Sequence, residues 1–353
     1  MWPIRSYPGS TSISAADRTV GSTDVIFVSY QDTLELLSPA EAMRICEEVL
    51  LAQARGSVAW PTTPNLKLDE SKPFHNHWIG KAALLRETAA TGVRLYNYYD
   101  DGRRNNIGSL QRLGYVILSD PTDGRPLAIV DDHWTSGLRA AASPVVGCKW
   151  LAPPAPRVLG LNGVGTMATN VLRCLTHMYR FDEIRCTSRR AETREAFASH
   201  WSNALAIPVT PVESSKEVAR GADIVVGATT SSDAVCREAW LKPGALFISL
   251  ARRELDPDDW AQMDKVVVDS WALNLQMPVF RGMVESGRFP RESLYAELQE
   301  IVSGAKPGRT RPDEKILIHT CGLASQDIAI AHHVFREAER RGRGIRLPVA
   351  STP

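Results

Sequence analysis

In the second half of the chain, short apolar, β-branched runs alternate with longer segments whose apolar residues recur at helical spacing. RVLGLNG, EIRCTSR, IPVTPV, DIVVGATT, ALFISLA and KVVVDS read as strands. TMATNVLRCLTHMY, AETREAFASHWSNA and SKEVARGA read as the intervening helices. Strands that are apolar on both faces and separated by helices predict an α/β fold with a doubly wound parallel sheet. The tail KILIHTCGLASQDIAIAHHVFREAERRG reads as a strand, a glycine turn and an amphipathic helix.

The first half has a different rhythm. DVIFVSY is a predicted strand. SPAEAMRICEEVLLAQARG has Ser38 as N-cap, Pro39 at the first helical position, Glu41 three residues after the cap and Gly56 as a stop, which predicts a helix. Residues 60–78 read as irregular. GVRLYNYY and YVILSD read as strands, and PTDG before PLAIVDD predicts a hairpin. TSGLRAAASPVVGCKWLA reads as a helix capped by Thr135 or Ser136. Residues 1–22 are polar and read as a loose arm.

The 353 residues are 44% hydrophobic and 23% charged, with a formal net charge of +1. A disordered chain, a coiled coil and a collagen-like polymer are thereby excluded. The near-neutral balance gives no footprint for a nucleic-acid partner. No apolar run reaches the roughly 18 residues that span a bilayer, and the first residues lack the apolar stretch of a secretory signal. Cys46, Cys148, Cys174, Cys186, Cys236 and Cys321 are widely spaced, as in reduced thiols of a cytoplasmic protein. His75, His77, His332 and His333 lack the ligand spacing of a metal site, so no metal is expected.

The most informative motif is VLGLNGVGTMA. Gly163, Gly165 and Ala168 fill the positions of G-x-G-x-x-G/A, with Val164, Thr166 and Met167 between them. A strand precedes this turn, a helix follows, and another strand comes about twenty residues on, the context of a dinucleotide-binding βαβ unit. The following helix would aim its N-terminal N–H groups at the pyrophosphate. At the end of the second strand stand Ser188, Arg189 and Arg190, where an NAD site has Asp or Glu. Hydroxyls and guanidinium groups suit a 2′-phosphate, so NADP(H) is favoured over NAD(H). Thr229 and Thr230, ending DIVVGATT, would border the nicotinamide ribose.

With these residues in hand, the chain resembles the ornithine cyclodeaminase/mu-crystallin family. The resemblance is carried, in order, by SGLRAAAS at 136–143, VLGLNGVGTMA, GADIVVGATTSS, WLKPGALFIS, KVVVDS, LYAELQEIVSGAKPGR and GLASQDIAIA, and runs over residues 25–347. It implies a Rossmann domain (144–322) beside an α+β substrate-binding and dimerisation domain (23–143), to which a C-terminal helix (323–353) returns. It also implies a homodimer, with a small amino or imino acid, or an imine, bound between the domains. The implied activity is an NADP(H)-dependent oxidoreductase acting on a C=N or C–NH bond. A cyclodeaminase or amino-acid-conjugate synthase with recycled NAD, and a non-enzymatic crystallin-type binding protein, stand as the other classes.

The resemblance also assigns site residues. Arg139 matches the arginine that holds the substrate carboxylate, a role suited to its two-donor fork. It is expected to matter for the reacting complex more than for the fold. Arg94 stands where the family has lysine, and arginine does not exchange a proton near neutral pH. A further family arginine is expected near WPTTPNLKL, where Thr62 and Thr63 stand instead. Asp327 matches the Asp of G-x-A-x-x-D, either ordering the substrate nitrogen or answering the helix dipole. His319 ends a strand beside the cofactor cleft, either as the group best placed to titrate near neutrality or as a packed, hydrogen-bonded histidine. The acid needed for ornithine cyclisation should follow ALFIS. There Arg252, Arg253 and Glu254 intervene, and Asp256 is the nearest candidate.

Overall fold

Two sheets organise the chain, each with the periodicity its sequence carries. The computed structural model describes residues 24–61, 65–67, 77–98, 114–231, 233–250 and 253–348. The predicted arm at 1–22 and the Thr62–Thr63 position lie outside the described residues, as does Arg252.

The C-terminal sheet is parallel throughout. Its strands run in the order Val209–Pro211, Glu183–Thr187, Val158–Asn162, Ile224–Gly227, Leu246–Ser249, Ile316–His319, Lys265–Val268, Ala296–Glu297. Every residue of Ile224–Gly227, Leu246–Ser249 and Ile316–His319 is buried, as strands covered on both faces require. The chain leaves the sheet's first strand, Val158–Asn162, towards one edge and returns beside it at Ile224–Gly227. That reversal opens a crevice at the carboxyl ends of these two strands, the usual ligand position in such sheets.

The N-terminal sheet is mixed. Its order is Ile345–Leu347, Val25–Val28, Pro126–Asp131, Gly114–Ser119, Ala90–Tyr98, His77–Leu85, Val58–Ala59, with Asn65–Lys67 also pairing His77–Leu85. The strand Ala90–Tyr98 alternates: Gly92, Arg94 and Tyr96 are buried, while Val93 and Leu95 are 42% and 39% exposed. Helices Pro39–Ala54, His133–Leu151 and Ala324–Arg341 share the inner side, and the last packs directly on His77–Leu85 and Ala90–Tyr98. Among the described residues, no helix is long and apolar enough to cross a membrane.

Local capping explains several boundaries. Ser38 and Glu41 form the expected reciprocal capping box at Pro39–Ala54. A second box, Ser29 with Asp32, starts the helix Tyr30–Leu36, whose first residue the apolar pattern places in the preceding strand. The predicted Thr135 or Ser136 cap is not what forms. The helix begins at His133 behind Asp132, whose carboxylate is engaged elsewhere, and Thr135 Oγ1 donates back to the Asp131 carbonyl. This helix runs unbroken to Leu151, so the boundary expected at 143/144 falls inside it. Residues 60–78 hide the start of a long strand, His77–Leu85. The C-terminal segment adds a short strand after its helix, Ile345–Leu347, antiparallel to Val25–Val28.

Candidate active site

The glycine turn forms a cradle at the crevice. Gly163 holds φ at +101°, a conformation that side-chain-bearing residues rarely adopt, and a Cβ there would strike the Ala228 carbonyl. Its N–H donates to the Thr187 carbonyl, tying the turn to the second strand. Gly165 is exposed, and a Cβ built on it meets nothing within 4 Å, so the space above it is open. It is also the N-cap of helix Thr166–Met178, whose first N–H groups have no side-chain cap. An open, uncapped helix N-terminus behind a glycine turn fits a dinucleotide pyrophosphate. Val164, Thr166 and Met167 surround it at partial or full exposure. Ser188 is partly buried, while Arg189 and Arg190 are exposed at the end of the second strand and form no ion pair with a described residue. Thr229 and Thr230 follow Ile224–Gly227 at the same edge, partly and fully exposed respectively.

Further along that edge, the inner face of the mixed sheet carries a buried charged centre. Arg139, on the second turn of His133–Leu151, donates through Nε to Asp327 Oδ1 at 2.6 Å. Arg94, 2% exposed, donates through Nε to Asp132 Oδ2 at 2.6 Å and brings Nη1 within 3.6 Å of Asp327 Oδ1. Its guanidinium also lies over the Tyr96 ring, 4.0 Å from the centroid. Asp132 thus serves Arg94 instead of capping its own helix. Burial alone would raise the Asp327 carboxyl, but Arg139, Arg94 and Lys81 outweigh it and hold it below the usual range. Burial alone would lower Arg94, and Asp327 and Asp132 outweigh that too, so it stays charged.

Arg94 Nη2 and Asp327 Oδ2 are among the buried polar atoms of this centre that have no hydrogen-bond partner among the described residues. One is a charged donor and the other a charged acceptor. Leaving such groups buried and unbonded is costly.

Lys81 closes the centre from the neighbouring strand. It is the register partner of Arg94, so both side chains leave the same face. Its Nζ donates to the Gly322 carbonyl at 3.1 Å. Gly322 has φ at +92°, and the space of a Cβ is filled by the Arg139 guanidinium. Asp269 holds this turn: Oδ2 accepts from the Cys321 and Gly322 N–H groups at 2.9 and 2.6 Å. Oδ1 accepts from Ser270 N and Asn274 Nδ2. Burial nevertheless keeps the Asp269 carboxyl above its usual range. Trp60, Pro61, Lys81, Leu273, Gly322 and Ala324 line a narrow cavity beside the turn.

Of the two readings of His319, the structure shows the packed, hydrogen-bonded one. Burial lowers it to about 4, so it is neutral near pH 7 and does not titrate there. Its Nδ1 lies 2.8 Å from Ser249 Oγ, which in turn donates to Glu254, and Trp260 packs edge-on against the ring at 4.9 Å. Asp256 pairs with Arg237 and accepts from Asp258 N, away from the charged centre. Arg139, expected to matter for the reacting complex more than for the fold, is locked to Asp327 in an ion pair that bears on the fold as well.

The residues that motif reading missed are Lys81, Asp132 and Asp269. Lys81 lies just beyond the segment read as irregular, on the strand His77–Leu85 that begins inside it, and only the hairpin register reveals it opposite Arg94. Asp132 is legible as a second acid before a helix, but its partner is not.

The matching family model, the ornithine cyclodeaminase/mu-crystallin family, covers residues 25–342, and the chain belongs to that family. It is 26% identical over 309 residues to N-((2S)-2-amino-2-carboxyethyl)-L-glutamate dehydrogenase of Staphylococcus aureus, covering 85% of this chain and 90% of that one. It is also similar to the structure of Thermococcus litoralis Δ(1)-pyrroline-2-carboxylate reductase in complex with NADH and L-proline. That match has a TM-score of 0.84 and 25% identity, over 92% of this chain and 100% of that one. An archaeal alanine dehydrogenase dimer with bound NAD matches with a TM-score of 0.81 and 25% identity, over 92% and 99%.

The Asp327 carboxylate is the shared counter-charge of this centre, and its folded-state pKa is lowered. It therefore stabilises the fold above the ordinary carboxylate pKa of about 4, and that contribution is lost as pH falls through the folded value. Asp327→Asn keeps the shape and removes the charge. We expect it to cost about 3–5 kcal/mol near neutrality, because the buried cations lose their partner. The gap from wild type, measured by denaturant unfolding, should stay constant above about pH 4 and narrow below it. An unchanged gap into acid would contradict the assignment.

Proposed function

We propose that the protein is a nicotinamide-dependent oxidoreductase of the carbon–nitrogen bond, reducing an imine or imino acid or running the reverse amino acid dehydrogenation. The observation that carries this reading is the pair of unbonded buried atoms, Arg94 Nη2 and Asp327 Oδ2, beside Arg139. An amino or imino acid presents a carboxylate to the guanidinium groups and an N–H to the carboxylate, which matches that pair. Relatives named for amino acid dehydrogenation and imino acid reduction support the same chemistry.

In this reading the residues of the glycine turn and the helix behind it hold the pyrophosphate. When bound, the reduced nicotinamide supplies a hydride to the imine carbon. Arg139 and Arg94 hold the substrate carboxylate, and Asp327 orients the nitrogen, so that the reacting carbon is presented in one pose. Asp327 remains ionised and stabilises positive charge at that nitrogen. The pairing of Asp256 with Arg237 speaks against cyclisation.

Arg189 and Arg190 favour NADP(H), and the outer face of the mixed sheet favours a homodimer. That face carries Trp78, Val93, Leu95 and Ile117 at 38%, 42%, 39% and 39% exposure, more apolar surface in one place than an isolated monomer usually leaves.

A screen of imino acids with NADPH and NADH, followed by nicotinamide absorbance, tests the reaction. Oxidation of the cofactor by at least one imino acid is expected, and none by any would overturn the reading. On the substrate found, Arg139→Lys should lower kcat/KM by roughly thirty-fold, about 2 kcal/mol, as the two-donor fork is lost. Arg189→Ala should weaken NADPH about ten-fold or more while leaving NADH within about three-fold. Equal effects on both cofactors would remove the 2′-phosphate assignment. Light scattering should report a dimer at micromolar concentration, and a monomer would contradict the apolar-face argument.

A further inference from the structure

Reducing a carbon–nitrogen double bond requires a proton at nitrogen as well as a hydride at carbon. Most groups around the charged centre are unable to supply it near neutral pH. Arg94 and Arg139 are guanidinium groups, which do not release protons in this range. Asp327 is held ionised and has no proton to give. His319 is neutral, and both of its neighbours, Ser249 and Trp260, belong to the parallel-sheet side. Cys321 is pushed well up by burial and then by Asp269, to which its thiol donates.

Lys81 remains. Its ammonium has three N–H groups, and among the described residues only the Gly322 carbonyl takes one. The others are free to reach the narrow cavity that Lys81 lines with Trp60, Pro61, Leu273, Gly322 and Ala324. Four ionisable groups face it. Arg139 comes from the helix His133–Leu151, Arg94 from the neighbouring strand, Asp327 from the returning helix and Cys321 from the turn. Burial, then Arg139 and Arg94, favour its neutral form; Asp327 and Cys321 oppose them, and the balance lies below the ordinary lysine range. Lys81 is therefore the group in this centre that both holds a proton and can part with it.

We propose that Lys81 is the catalytic proton donor to the substrate nitrogen in imine reduction, and the acceptor of that proton in the reverse direction. The proposal rests on the oxidoreductase reading above. In the forward direction an N–H bond of the Lys81 ammonium breaks and an N–H bond forms at the imine nitrogen, leaving a neutral amine at Nζ. The electron pair of the new C–H bond arrives with the hydride of the reduced nicotinamide, and Nζ regains its proton from water. The arrangement places the proton donor opposite Arg94 in the hairpin register, so one strand pair supplies both the carboxylate contact and the acid.

Lys81→Met and Lys81→Arg test this together. Both should lower kcat about a hundred-fold or more. KM, and the affinity for L-proline measured by calorimetry, should change less than about three-fold. Ethylamine in the buffer should restore part of the activity of Lys81→Ala, and the alkaline limb of the wild-type kcat profile should vanish in Lys81→Met. A raised KM with kcat retained would overturn the proposal and make Lys81 a carboxylate anchor. Full activity in Lys81→Arg would overturn it as well. Competitive acetylation of the cofactor-free protein, read by mass spectrometry at the Lys81 peptide, needs no turnover. Titration of Lys81 below the ordinary lysine range supports the proposal, and an ordinary lysine titration overturns it. If the wild type reduces no imino acid, the oxidoreductase reading fails by itself, whatever the labelling reports.

Discussion

The buried pairing of Arg139 with Asp327 is the constraint on which the rest of the site depends. It joins the helix that leads into the parallel sheet to the helix that returns from it, and it does so inside the protein. Two charges removed from water hold together only if geometry is good and their remaining donors and acceptors are satisfied. Here the chain extends through Arg94 to Asp132, with Lys81 alongside, so two carboxylates are shared among three cations. Among the described residues, a donor of Arg94 and an acceptor of Asp327 stay unsatisfied. A core optimised only for stability would have used apolar residues at these positions, so the unspent bonding capacity is best accounted for by a ligand.

Asp269 and Gly322 make that arrangement possible. The strand Ile316–His319 ends in a turn that must pass under Arg139, and only a residue without a Cβ leaves room for the guanidinium. The Asp269 carboxylate fixes the turn by accepting from consecutive N–H groups. The carbonyl of the same glycine faces Lys81. The backbone of residues 321–322 thus joins the end of the strand Ile316–His319 to the charged centre.

Much of this was legible in the sequence where local rules govern. The parallel sheet followed from apolar runs alternating with helices, and Gly163, Gly165 and Ala168 marked the cradle because φ and close approach leave few choices there. The capping box at Ser38 was readable for the same reason. Arg139, Arg94 and Asp327 were reached through motif resemblance, yet nothing in the sequence shows that they touch, since 188 residues separate the first from the last. Lys81 was invisible because its strand begins inside a segment with no clear alternation, and its meaning comes from cross-strand register. For His319 the strand end is legible, but the choice between a titrating and a packed histidine is not, because burial against Trp260, which no local pattern reports, removes its titration from the neutral range.

In the oxidoreductase reading, a single small molecule bridges Arg94 and Asp327. The crystal structure of the protein with its dinucleotide and the amino acid product of its preferred substrate tests this directly. The predicted result is a ligand carboxylate within hydrogen-bond distance of Arg94 Nη2 and the Arg139 guanidinium, with the ligand nitrogen donating to Asp327 Oδ2. A product seated elsewhere, with Arg94 Nη2 and Asp327 Oδ2 still unbonded, would contradict it.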